Sequence, residues 1–483
     1  QGNFSADGGT IKLDGNYPNG VNNVALGNTA LDTASGLNGY SVAIGTNALT
    51  AMTSGGSNVG VGYASGAAIT TGGNNVAVGT EALDATTTGG SNVAIGSGAL
   101  GANTTASNNT AVGHQAGYLN TTGQFNTSTG RQSLRSNTTG GENTALGDIA
   151  MYANTTGGYN VAVGRSALEN NTTASQNTAV GYESLKENTT GQRNTAVGWN
   201  ALLNNTTAQG NTAVGAYAGD SNTEGANNTF IGYDTAPANT TGANNTSLGA
   251  GSLHANTTAS NNTAVGYQSL YSSTTAEDNV ALGYRAGYST TTGESNIFIG
   301  GRSWDSGYGS GYNNTTGNYN VAIGASTLGN NTTAERNTAI GHQAMYTNQT
   351  SRYNTAVGYK SGYYQTGGER NVSMGHTSLY SSTTGTSNVA LGNDALFDTT
   401  TGSYNVAVGQ SALENNTTAS NNTAVGYQSL YANTTGSANV SFGYIAGEDN
   451  TTGTNNVYLG SYAGKNITTS NQNTLVGSSA GET

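Results

Sequence analysis

The chain has 483 residues, with 74 Gly, 2 Pro and no Cys, only 8% charged residues and a net charge of -12. Without cysteine there is no disulfide, thiolate metal site or cysteine nucleophile, and sparse acidic charge excludes the basic patches that nucleic acid or an anionic membrane would require. No apolar run approaches the ~20 residues of a membrane-spanning helix, and no secretory signal core is present, so a membrane-embedded protein is not expected.

Residues 1–22 precede the pattern that dominates the rest and are expected to cap the first repeat or dock on a partner. From Asn23 to Gly477 a five-residue phrase, Asn-Val/Thr-Ala-Val/Ile/Leu-Gly, then recurs 27 times. Its glycines run Gly27, Gly45, Gly62, Gly79, Gly96, Gly113, Gly130 and onward in steps of 17 to Gly300. After one step of 24 the beat resumes at Gly324 and holds to Gly477. A fixed period of this kind marks a solenoid, in which each repeat buries its apolar face only against its neighbours. A Gly-rich chain of this composition would ordinarily read as disordered or low-complexity, but disorder has no need of Gly at every seventeenth position. Residues 23–483 are therefore expected to form one continuous array, which grows by rungs and escapes the size limit of a globular core.

The copy from Asn262 to Asp278 shows one rung. Its first five residues are β-branched and small and end at Gly, which predicts a short strand closing in a turn. A second short extended piece is expected next, with a small residue at position eight (Ala82, Ser133, Ser269) and usually Leu at nine (Leu83, Leu134, Leu270). Positions twelve to fourteen spell Asn-Thr-Thr in fourteen rungs, as at Asn120-Thr121-Thr122, and Gly or Ala follows, which is turn chemistry. The predicted fold is all-β, a parallel β-solenoid or β-roll with one coil per 17-residue repeat and about 27 rungs. Stacking at ~4.8 Å per rung would make a rod of about 130 Å. Asn opens 26 of the 27 copies, Ser41 being the exception. Two readings are open, a ladder of stacked amides or a turn former ahead of the strand.

Side chains alternate along a strand, so positions two and four (Val161 and Val163) face one way and position three (Ala162) the other. Both faces are apolar, and a 17-residue coil covers only one of them. Position three is Ala in 18 of 27 copies, small enough for a second backbone to approach. Ala162, Ala179 and Ala196 are accordingly expected to pack between chains of a homo-oligomer; the alternative is alanine tolerated at a solvated face.

Segments such as Asn75-Val76-Ala77-Val78-Gly79-Thr80-Glu81-Ala82 and Asn160-Val161-Ala162-Val163-Gly164-Arg165-Ser166-Ala167 resemble the repeat of the YadA-like head of trimeric autotransporter adhesins. That resemblance implies a parallel β-roll packed as a trimer, with a longer coil here whose excess lies in the Asn-Thr-Thr turn. The array, with phrases like Asn422-Thr423-Ala424-Val425-Gly426-Tyr427-Gln428-Ser429-Leu430-Tyr431, also looks like the repeats of phage fibre and virion structural proteins. Asp7-Gly8-Gly9-Thr10-Ile11-Lys12-Leu13-Asp14-Gly15 has the character of a fibre's leading segment.

Catalytic chemistry finds few candidates. His114, His342 and His376 follow the repeat's Gly; two rungs separate the last pair, roughly 10 Å, too far to share a metal within one chain. Glu169, Glu183 and Glu187 lie on neighbouring rungs, where paired carboxylates would suit a polysaccharide depolymerase or simply form a solvated surface. No phosphate loop precedes a helix. Tyr recurs after the Gly (Tyr63, Tyr182, Tyr267, Tyr444) and at position ten (Tyr152, Tyr271, Tyr380, Tyr431), either as platforms for sugar rings or as a packing ladder. Seven extra residues enter between Gly300 and Gly324. The insertion, at 304–312, is expected to bulge as a loop, with Trp304, Tyr308 and Tyr312 as contacts for a glycan or a partner; a merely tolerated insertion is the other reading.

The expectation is a non-enzymatic structural protein without cofactor or metal, an extracellular or virion fibre that associates laterally with itself, a trimer being favoured, and attaches to a surface glycan. The adhesive head of an autotransporter-like adhesin and a solenoid depolymerase are the alternatives. At the far end Asn473-Thr474-Leu475-Val476-Gly477 is a full repeat, and Ser478–Thr483 is too short to cap it. The last rung is expected to pair with another polypeptide, either the leading segment of the next subunit in a head-to-tail filament or a downstream segment removed from this chain.

Overall fold

The computed structural model describes residues 22–33 and 39–481; the expected capping role of the leading segment lies outside the described residues. Each copy of the phrase forms a strand of three residues, and among the described residues turns, bends and irregular chain join one strand to the next. Among the described residues there is no helix, and so none long and apolar enough to cross a membrane. Two compact units divide at Tyr233 and Asp234. The first holds thirteen strands, β1 (Val24–Leu26) to β13 (Thr229–Ile231), and the second fourteen, β14 (Thr246–Leu248) to β27 (Thr474–Val476).

Within each unit consecutive strands run parallel and in register. Thr178, Ala179 and Val180 lie opposite Thr195, Ala196 and Val197, and in the second unit Thr263, Ala264 and Val265 lie opposite Val280, Ala281 and Leu282. Each unit is thus a parallel β-solenoid with one coil per repeat. The Gly that ends each strand has two reasons to be Gly. Its φ lies between +127° and +147° throughout, outside what an L side chain tolerates. A Cβ on Gly113 would also come within 2.5 Å of the Gly130 carbonyl oxygen on the next coil.

The expected second strand does not form. Positions seven, nine and seventeen are left-handed instead, as at Glu81 (φ +57°), Leu83 (φ +52°) and Ser91 (φ +58°). Each such residue costs about 1–2 kcal/mol, offset by a bond to a neighbouring coil. The N–H of Glu81 donates to Tyr63 O (2.9 Å), that of Leu83 to Ala99 O (3.0 Å) and that of Ser91 to Gly73 O (2.9 Å). These turns close the circuit while leaving few backbone donors unpaired.

The interior is the second difference from expectation. Ala162, Ala179 and Ala196 are fully buried inside the coil, beside Leu168 and Leu185. They face the core, so they do not form the inter-chain surface assigned to them; the outward residues are positions two and four. The narrow coil explains this, because Ala across from Leu at position nine fills it. In several coils where position nine is Gly, position three of the following coil is large. Phe230 packs on Gly219 and Phe298 on Gly287, where an added Cβ would meet the rings at 2.5 and 2.7 Å.

Asparagine fixes the corner, and both files of it are buried. At position one, Asn126 Nδ2 donates to Gly140 O (2.9 Å) while its Oδ1 accepts the N–H of Asn143 (3.0 Å). At position twelve, Asn137 Nδ2 donates to the same Gly140 O (2.8 Å) and to Asn120 Oδ1 (2.7 Å). Two amides converge on one carbonyl, coil after coil. The ladder reading holds for Asn, and each side chain answers buried backbone groups that would otherwise be costly to leave unpaired.

Candidate functional site

Positions two and four form the outward face of the strands, as in Thr110 and Val112 or Thr195 and Val197. In every strand they are Val, Thr, Ile, Leu, Met or Phe, and none is charged. All are at least partly exposed, and Val214, Leu248 and Phe442 are exposed outright. Each unit therefore carries two parallel files of methyl and hydroxyl groups, repeating at ~4.8 Å. An uncharged, partly exposed strip that recurs on successive coils is the kind of surface that marks an interaction site. The signal for it was present in the sequence, since the charged residues of the repeat avoid these two positions completely.

A second surface is aromatic and belongs to the second unit. Position ten supplies His254, Tyr271, Tyr288 and Tyr312, with ring centroids 4.6, 5.1 and 5.1 Å apart. It then supplies Tyr346, Tyr363, Tyr380 and Phe397 at 5.4, 5.2 and 5.0 Å. Between these runs position ten is Gly329, and a ring from the insertion takes its place: Tyr308 lies 4.6 Å from Tyr312 and 6.4 Å from Tyr346. Nine rings make one file. Lys360 sits between this file and the one after the Gly, 5.3 Å from the Tyr359 ring and 5.4 Å from that of Tyr363, and Arg285 likewise bridges Tyr284 and Tyr288 at 5.2 Å each. Burial, reinforced by neighbouring phenols, pushes the Tyr363 hydroxyl up to about 12 and raises Tyr346 and Tyr380. Because each ring covers the next, edges rather than faces meet the solvent. A sugar ring stacks on a face, so the file is a packing ladder rather than a sugar platform.

The insertion folds along the stack rather than bulging from it. Ser303 Oγ lies 3.0 Å from His342 Nε2, and Ser326 Oγ donates to Tyr308 O at 3.0 Å. Of the three aromatics expected to bind together, Tyr308 and Tyr312 are half-buried against each other, and Trp304 alone is free, 96% exposed between exposed Arg302 and Asp305. Nothing in the sequence of the insertion announces this docking; only the vacancy at Gly329 hints at it.

Several of the remaining candidates take part in structural contacts. The Tyr359 ring lies between His342 and His376, at 5.5 and 5.1 Å. Glu183 pairs with Lys186 at 3.2 Å, and Glu187 accepts from Asn170 Nδ2 at 2.8 Å. Burial lowers the Lys186 ammonium, but the bond to Glu183 and the fields of Glu183, Glu169 and Glu187 outweigh it and hold the group above its ordinary value. Compared with known proteins, the chain matches no family model and no curated protein.

Proposed function

We propose that the protein is a non-enzymatic structural element of an extracellular or virion fibre, whose copies associate laterally through the uncharged strip at positions two and four. The observation that carries this reading is the strip itself, which keeps free of charge over every strand while leaving its side chains partly exposed. Three copies about a common axis would bury it, in keeping with the resemblance to YadA-like heads. Trp304 is the contact for a surface glycan, since its ring face is open. An adhesive head is the second reading, favoured by the same open Trp304. A depolymerase is disfavoured by Lys186 and Asn170, which already engage Glu183 and Glu187.

Light scattering on the native chain and on a Thr195→Lys, Val197→Lys, Thr212→Lys variant tests the assembly. An oligomer that falls to monomer with unchanged circular dichroism is expected; a native chain that is monomeric at all concentrations overturns the proposal.

A further inference from the structure

We propose that the nine-ring file is an oxidative cross-linking site, at which tyrosines of adjacent coils couple to dityrosine. Tyr271, Tyr288 and Tyr312 stand 5.1 Å apart with planes inclined by 6° and 5°, and Tyr308 lies 4.6 Å from Tyr312 at 12°. Each is half-buried, so part of the side chain reaches solvent while the coil holds its position. The encounter that two free phenols must find by diffusion is made in advance by the fold.

The chemistry balances with a two-electron oxidant of the peroxide class. Each phenol gives up one electron and its hydroxyl proton, the protons passing to water. The two phenoxyl radicals join ortho carbon to ortho carbon, and the two displaced ortho hydrogens return to the oxygens as the rings regain aromaticity. Two electrons and two protons have left, which turn hydrogen peroxide into two waters, or persulfate into two sulfates with the protons free. Each link staples neighbouring coils covalently. This role is independent of lateral assembly and of what the protein attaches to.

The first unit supplies an internal comparison. There position ten carries Tyr118 and Tyr152 with Arg135 between them, its guanidinium 5.6 Å from each ring. Those two rings are held apart, and Tyr159 and Tyr404 elsewhere are exposed.

The test irradiates the dilute full chain with a ruthenium tris-bipyridyl sensitiser and persulfate, isolates the monomer, and maps linked peptides by mass spectrometry. Joined peptides lighter by two hydrogens are expected for Tyr271–Tyr288, Tyr288–Tyr312 and Tyr308–Tyr312, and none for Tyr118–Tyr152. Tyr288→Phe should abolish the first two links and Tyr308→Phe only the third, with unchanged circular dichroism. A monomer without dityrosine, links between Tyr118 and Tyr152 as frequent as those in the file, or dityrosine fluorescence unaffected by either variant overturns the proposal.

Discussion

The ring of Tyr458 lies over Gly447, where a Cβ would come within 2.5 Å of it, and fills the volume that Leu at position nine fills in most coils. Tyr458 is fully buried and its hydroxyl has no hydrogen-bond partner. Tyr458→Phe keeps the packing and removes the unsatisfied group, so it should raise stability by roughly 1–3 kcal/mol. Gly447→Leu should lower it by about 1–3 kcal/mol through overpacking, and Tyr458→Ala in the same chain should restore part of that loss. Denaturant titration of the four proteins measures both.

Alkaline pH should weaken the second unit selectively. Burial pushes the Tyr458 hydroxyl from its ordinary value of 10.0 up to about 12. Between those values the unfolded chain has lost the proton and the folded chain keeps it. The stabilisation is therefore whole below pH 10 and declines as pH rises through 12, by up to about 2–3 kcal/mol. Stability curves at stepped pH should show this decline in the native chain and a shallower one in Tyr458→Phe.

Gly113→Ala should be among the most damaging single-methyl changes. It meets both the φ of +139° and the Gly130 carbonyl at 2.5 Å. Strain and overpacking together set a cost of roughly 2–6 kcal/mol. Hydrogen exchange should show lost protection centred on the coils of Gly113 and Gly130; protection equal to the native chain would refute the account.

Asn137 belongs to an Asn-Thr-Thr glycosylation sequon, yet its Nδ2 is buried and donates to Gly140 O and Asn120 Oδ1. An oligosaccharyltransferase should modify denatured chain and leave folded chain untouched, as read by intact mass. Asn137→Ala should cost roughly 1–3 kcal/mol, because Asn154 Nδ2 loses an acceptor that it holds at 2.8 Å.

The period, the parallel register and the one-coil repeat were legible because a single residue type, Gly, is forced by geometry at one position. The facing of the strand was read the wrong way round. Ala at position three suits a close second chain and a narrow interior equally, and the pairs that decide between them lie eleven residues apart, as Gly219 and Phe230 do. The left-handed turns were hidden, since Leu83 and Glu81 have no intrinsic preference for positive φ and adopt it only when neighbouring coils accept their bonds. Of the expected contacts, Trp304 is placed in solvent, whereas Tyr308 and Tyr312 are claimed by stacking.

Both asparagine files point the same way along the chain. Asn126 Oδ1 accepts the N–H of Asn143 at 3.0 Å, and Asn137 Oδ1 accepts from Asn154 Nδ2 at 2.8 Å, so a finished coil holds out acceptors to the residues that come after it. A chain delivered N-terminus first, from a ribosome or a secretion pore, meets a ready template with each added circuit. Partners about one circuit apart in sequence keep loop closure short, the regime of rapid folding. Pulse-labelled exchange on stalled nascent chains of increasing length should show protection advancing in whole circuits. Interrupted delivery then leaves a shorter stack whose growing edge stays raw, a partial product that resumes growth where it stopped.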